Sequence, residues 1–290
     1  MGSPALILIG TVDKPATAAP ASNVEASQTD TPALLDSSHA HPLVIAHRGA
    51  SADAPDNSLS AFEVAIEAGA DLVELDVRRT ADGLLVAHHS ARRRGVPLGK
   101  LTYAELVRRS RYRPPAFDEV LALCSGRVGV DVELKESGYE ADAVELLERR
   151  PSPPQAVITS FHAGVIQTVK SLRPGLRCGL VIGLGRIRAS RAGIDRAVLE
   201  PARACGADFI VVHQLLAGLR PHSRRQRLQA SPVFAAAAEA GLPVVVWTVN
   251  GLRRLRHFVS DPRVAAVITD LPATAVELRR AAAQGRPAPA

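Results

Sequence analysis

The sequence predicts an α/β chain folded as a (β/α)8 barrel. Three observations carry that prediction. Short runs of Val, Ile and Leu alternate with stretches whose apolar residues recur at helical spacing, the pattern of parallel strands covered by helices. Strand candidates of this kind begin near residues 43, 72, 128, 156, 178, 209, 244 and 265, and the span 43–283 has the length of a closed barrel. The competing arrangement, a doubly wound open sheet, calls for a glycine fingerprint after the first strand, and neither a G-x-G-x-x-G nor a P-loop follows it.

The elements read in order as follows. The first strand, 43–46, runs into His47-Arg48-Gly49. A helix over 58–68 places Leu59, Phe62, Ala65 and Ile66 on one side. The second strand is 72–77, with a short strand over 84–87, helices over 101–109 and 117–124, and the third main strand over 128–134. Helix and strand then alternate: helix 140–149, strand 156–159, helix 163–172, strand 178–182, helix 191–204 and strand 209–212. Helix 232–240, strand 244–247, helix 252–259, strand 265–268 and helix 274–283 complete the series.

Composition bounds the rest. Of the 290 residues 47% are apolar and 22% charged, enough to build a core and too apolar for disorder throughout. Three cysteines, Cys124, Cys178 and Cys205, exclude a disulfide scaffold. No apolar run reaches the length of a membrane-spanning helix. The net charge is +6, but aromatics are only 3%, which leaves little for stacking bases, so no nucleic-acid partner is expected. Residues 1–42, rich in Ala, Thr, Ser, Pro and Asp, read as a flexible N-terminal tail, 43–283 as the barrel and 284–290 as a C-terminal tail. The apolar stretch 5–9 is short and no basic residue precedes it, which makes a poor signal peptide; a cytoplasmic location is expected.

Chemistry in a barrel collects at the C-terminal ends of the strands. The period of two along a strand puts Glu74 and Asp76 on one face and Val73, Leu75 and Val77 on the other; the same rule groups Asp131, Glu133 and Lys135. With apolar side chains outward under the helices, Glu74, Asp76 and Glu133 converge. Three carboxylates in one cleft repel one another and lose hydration, and a hard divalent cation, Mg²⁺ or Ca²⁺, relieves both costs. Salt bridges to arginines are the other use of these charges.

His47, His88, His89 and His213 stand at strand ends. His88 and His89 are adjacent and cannot both point inward. His47 and His89, facing each other across a small opening, would supply a general base and a general acid to a phosphodiester. A His/His/carboxylate zinc site competes, but the oxygen ligands nearby favour a hard metal. Arg48 could grip phosphate oxygens in bidentate fashion, with Lys135 as a point charge. His162 reads as a helix cap or rim residue, His222 and His257 as surface residues, and His39 and His41 as tail residues.

The chain resembles the glycerophosphodiester phosphodiesterase family. The stretches that carry the resemblance are His47-Arg-Gly-Ala50, Pro55-Asp-Asn-Ser58, Gly69-Ala-Asp-Leu-Val-Glu-Leu-Asp-Val77, Thr80-Ala-Asp-Gly83 leading to His89, Val132-Glu-Leu-Lys135, Ser160-Phe161, Trp247-Thr-Val-Asn250 and Ile268-Thr-Asp-Leu-Pro272. Their order and spacing cover residues 43–275. The resemblance implies a barrel of the phospholipase C-like phosphodiesterase type, a divalent cation (Mg²⁺, Ca²⁺ or Mn²⁺), and hydrolysis of a small-molecule glycerophosphodiester to an alcohol and sn-glycerol 3-phosphate. It implies that Glu74, Asp76 and Glu133 hold the metal, that His47 and His89 transfer protons, that Arg48 and Lys135 touch the phosphate and that Trp247 lines the pocket. It further implies that the glycerol hydroxyl attacks first, giving a cyclic phosphate that water opens.

Three features depart from the family pattern. Asp56-Asn57-Ser58 stands where Glu-Asn-Thr is common, Ser90 follows His89 where Asp is usual, and the stretch between His89 and Leu101 is short and basic, with Arg92-Arg-Arg94. That basic turn leaves peripheral contact with an anionic membrane surface open, and with it a lysophospholipase D-like activity. A non-catalytic barrel that binds a phosphorylated metabolite is the remaining alternative.

Overall fold

The computed structural model describes Leu35 and residues 40–149, 155–184, 194–218 and 232–285. The chain runs through β1 (Leu43–His47), α1 (Leu59–Glu67), β2 (Leu72–Arg79), β3 (Leu85–Ala87), β4 (Arg92–Arg93), β5 (Val96–Pro97), α2 (Tyr103–Arg109) and α3 (Phe117–Cys124). It continues with β6 (Gly129–Leu134), α4 (Glu140–Glu148), β7 (Ala156–Ser160), α5 (Ala163–Leu172), β8 (Arg177–Ile182), α6 (Ile194–Ala204), β9 (Phe209–His213) and α7 (Gln214–Ala217). The last elements are α8 (Pro232–Glu239), β10 (Val244–Trp247), α9 (Leu252–Phe258), β11 (Ala266–Thr269) and α10 (Pro272–Ala283).

Eight parallel strands close into a barrel in the order β1, β2, β6, β7, β8, β9, β10, β11, and β11 pairs back onto β1. These are the eight strands expected from the sequence. β3 adds to β2 antiparallel, outside the ring. Three short elements, β4, β5 and α7, depart from the expected series: β4 and β5 form a two-stranded hairpin within the short basic stretch, and α7 is a single turn after β9. The hairpin turn is made by Arg94 and Gly95, both at positive φ.

The alternation of the strands explains the layers. Val73, Leu75 and Val77 belong to the core between strands and helices, whereas Leu72 joins Ile45, Val157, Phe209, Val211, Val245 and Ile268 in a second core inside the barrel. The inward positions are therefore apolar at the N-terminal end of the strands and polar at the C-terminal end. At Gly179 the Phe209 ring packs against β8, and a Cβ there would collide with it. Leu35, within the stretch expected to be a tail, is fully buried in this inner core, and its carbonyl accepts from Arg177 Nη2 at 3.3 Å. Residues 1–34, 36–39 and 286–290, with His39 and His222, lie outside the described residues, as does the expected helix start at 191.

Cys124, Cys178 and Cys205 are free and buried, as expected of a chain without a disulfide framework. Burial pushes the Cys124 and Cys178 thiols up to about 12, far from thiolate chemistry. Among the described residues no helix is long and apolar enough to cross a membrane.

Candidate active site

The register of β1, β2, β6 and β7 decides which side chains meet. His47 lies beside Glu74, Glu74 beside Asp131, and one step further along Asp76 lies beside Glu133, which lies beside Thr159. Glu74, Asp76 and Asp131 are at most 2% exposed. Oxygens of Glu74, Asp76 and Glu133 come within 4.8 Å of one another.

The electrostatics of this trio are unbalanced. Burial, with the charges of Asp76, Glu133 and Asp131, pushes the Glu74 carboxyl well above its ordinary range. Burial also raises Glu133, and lifts Asp131 to about 7 against a 2.7 Å hydrogen bond from the Thr159 hydroxyl. Asp76 goes the other way. Burial opposes its charge, but Lys135 and Arg48 and the Asn57 amide hold it below the usual carboxylate value. Glu74 Oε2 accepts from the Arg48 backbone N–H at 2.8 Å, while Oε1 is buried with no hydrogen-bond partner among the described residues. An orphaned buried oxygen, an all-oxygen donor set and surplus negative charge fit a hard divalent cation, so these three residues could hold one.

The loop after β1 sets the geometry around them. Arg48, Gly49 and Asn57 all adopt positive φ. Arg48 Nε lies 3.0 Å from Asp76 Oδ2, and Asn57 both donates to that oxygen at 2.7 Å and accepts from the Asp76 backbone N–H at 3.0 Å. Ser58 caps α1, accepting from Ala61 N at 3.1 Å, so the Ser in place of Thr keeps the capping hydroxyl. Gly49 has φ +82°, and a Cβ there would lie 2.5 Å from the Ala61 carbonyl carbon. Gly49→Ala is expected to cost roughly 1–3 kcal/mol, read as a lowered Tm, and to shift Arg48 off Glu74.

Lys135 Nζ lies 2.6 Å from both Asp76 Oδ1 and Glu133 Oε1. The salt bridges considered from sequence are therefore present for both cations alongside the carboxylate cluster. His47 Nδ1 bonds to Asp270 Oδ1 at 2.6 Å, and Asn250 Nδ2 donates to the other oxygen at 2.5 Å. Burial pushes the Asp270 carboxyl up, but the bond to His47 and its charge win and hold it below its ordinary value. Partial burial lowers the exposed His89 imidazole to about 4; Arg48, Lys135 and Arg78 add to the effect and Asp76 opposes it. The His89 carbonyl accepts from Arg78 Nε at 2.8 Å, and Arg78 is ion-paired to Glu136.

One opening of 110 Å³ is lined by His47, Arg48, Glu74, His89, Glu133, Lys135 and Trp247, with Asp76 directly behind. A larger cavity of 570 Å³ adjoins it on the side of His89. The sequence-predicted residues are thus brought together. His88, by contrast, bonds to the Ser90 carbonyl at 3.0 Å and lines neither cavity. His213 accepts from Leu215 N and packs edge-on against Trp247, while His162 sits at the rim of the larger cavity and caps nothing with its side chain. Asp270, Asn57 and Arg78 had no role assigned from sequence. The signal for Asp270 was available, because β11 closes onto β1 and Asp270 follows its last residue.

Comparison with known proteins points to one family. The glycerophosphoryl diester phosphodiesterase family model matches residues 47–274. A glycerophosphodiester phosphodiesterase of Caldanaerobacter subterraneus is 26% identical over 259 residues, covering 82% of this chain and 98% of its own. One from Arabidopsis thaliana is 33% identical over 260 residues, covering 81% of this chain and 72% of its own. The crystal structure of the glycerophosphodiester phosphodiesterase of Thermotoga maritima superposes with a TM-score of 0.66 at 26% identity, over 83% of this chain and 100% of that one. The barrel, the residues at its mouth and the span of the family match together place this chain in the glycerophosphoryl diester phosphodiesterase family.

Proposed function

We propose that this site hydrolyses a water-soluble glycerophosphodiester to sn-glycerol 3-phosphate and an alcohol, with Glu74, Asp76 and Glu133 holding Mg²⁺, Ca²⁺ or Mn²⁺. The observation that carries the reading is the single opening in which two histidines and two cations surround that carboxylate trio. A cation bound there would neutralise phosphate charge and stabilise the charge that develops during displacement.

The side chains divide the remaining work. Asp270 accepts the Nδ1 proton of His47, which leaves Nε2 as the proton acceptor and favours the imidazolium that forms. His47 lines the smaller cavity and not the larger, so the hydroxyl it activates belongs to a glycerol seated there. That oxygen attacks phosphorus, the bond to the alcohol breaks, and a cyclic phosphate forms. His89 lines both cavities and stands where it can protonate the departing alkoxide. In the second step His89 takes a proton from water, the ring opens, and His47 returns its proton to the glycerol oxygen. Arg48 and Lys135 bind phosphate oxygens, and Trp247 walls the glycerol side.

The smaller cavity, at 110 Å³, is about the size of a glycerol, which supports the water-soluble diester as substrate. The names of the relatives support the same reaction. Purified protein given a glycerophosphodiester should release sn-glycerol 3-phosphate and the alcohol in equal amounts, measured by a coupled dehydrogenase assay. Saturable binding with neither product would leave a binding barrel and overturn the reading.

A further inference from the structure

We propose that the 570 Å³ cavity beside His89 receives the leaving alcohol and selects one that carries negative charge, a phosphorylated polyol in preference to a choline-like cation. The inference rests on the hydrolytic reading above and extends it to the substrate class.

Position comes first. If glycerol occupies the 110 Å³ cavity with His47, the other ester oxygen of an in-line displacement points the opposite way, past His89. The larger cavity opens there, and His89, Glu133, Lys135 and Phe161 line both cavities. Its volume accommodates an alcohol larger than glycerol.

Charge comes second. Among the described residues the cavity is lined by three cations, Arg78, Arg92 and Lys135; Arg78 pairs with Glu136, and Lys135 lies 2.6 Å from both Glu133 and Asp76, so the charge left over is that of Arg92. Arg92 spends its donors on a neutral acceptor, the Gly95 carbonyl, at 3.0 and 2.6 Å, so its positive charge is not cancelled there. Arg93 and Arg94 follow it on the same hairpin. A trimethylammonium group would need carboxylates or open aromatic faces. Trp247 lies in the smaller cavity; the larger is lined, among the described residues, by one phenyl ring, Phe161, with the Lys135 ammonium 6.0 Å from its centroid, and by the imidazoles of His89 and His162. The hairpin side of the cavity, where Arg92 stands, therefore repels a cation and attracts a phosphate.

The test uses three glycerophosphodiesters that share the glycerol 3-phosphate half and differ in the leaving alcohol: glycerol phosphate, glycerol and choline. We expect kcat/KM to fall in that order, with the anionic alcohol favoured over choline by roughly tenfold or more at low ionic strength. The preference should shrink as salt is added and should lie mainly in KM. Arg92→Glu should cut the ratio of anionic to choline substrate by roughly tenfold, and Arg92→Gln by a smaller factor. The neutral Gln variant keeps a donor for the Gly95 carbonyl and serves if the Glu variant fails to fold. Choline favoured by the wild type, or a ratio unmoved in both variants, would overturn the inference while leaving the hydrolase reading intact. Absence of turnover on all three substrates would overturn both.

Discussion

His89→Ala slows hydrolysis of a glycerophosphodiester with an alkyl alcohol by roughly 10²–10⁴-fold, and slows a nitrophenyl diester far less. The asymmetry follows from the role. A poor leaving group needs a proton as it departs, whereas nitrophenolate leaves without one. His47, held by Asp270 and acting on the attacking hydroxyl, shows no such rescue. The comparison is the kcat/KM of the two alanine variants on both substrates; equal losses for His89, or rescue of His47 instead, would reverse the roles. The state of His89 gives a second readout. Partial burial and three nearby cations hold its imidazole down to about 4, so in the metal-free protein it is neutral at pH 7. A bound phosphate anion favours the protonated form. Its titration, followed by NMR in metal-free protein, should therefore lie near 4 and move upward when glycerol 3-phosphate is added.

Glu133→Gln removes one ligand charge while keeping the shape, and kcat/KM should fall by roughly a hundredfold or more as metal affinity weakens. Lys135 adds to the loss, because the ammonium that now sits between Asp76 and Glu133 loses one of its two carboxylates. The binding should be linked to protons. Glu74 is raised by burial and by Asp76, Glu133 and Asp131, so below its raised pKa a proton occupies the group and a cation must displace it. Affinity for Mg²⁺ or Ca²⁺ should fall as pH is lowered, measured by calorimetry on the wild-type protein at several pH values. Affinity independent of pH would mean that the cation binds elsewhere.

The barrel was legible because it is written in local patterns. Runs such as Val244–Trp247 are apolar on both faces, and the helices between the strands keep one apolar side. The convergence of Glu74, Asp76 and Glu133 was legible for the same reason: period two fixes the face, and parallel neighbours share a register. What could not be read depends on contacts far apart in the chain. Closure of β11 onto β1 puts Asp270 within reach of His47 across 223 positions, but which polar side chain at the mouth bonds the imidazole is not written in the chain. The fixing of His89 through its own carbonyl by Arg78 leaves no trace in a motif. The burial of Leu35 depends on the inner core of the barrel, and a leucine pair in an Ala- and Thr-rich stretch carries no periodicity to announce it.

The central claim is that hydrolysis runs on a cation held by the three carboxylates. Protein stripped with a chelator and returned to metal-free buffer should release no sn-glycerol 3-phosphate from a glycerophosphodiester, and adding Mg²⁺, Ca²⁺ or Mn²⁺ should restore the rate in the wild type but not in Glu133→Gln. Full turnover in the presence of excess chelator, on protein shown by elemental analysis to be free of metal, would contradict it.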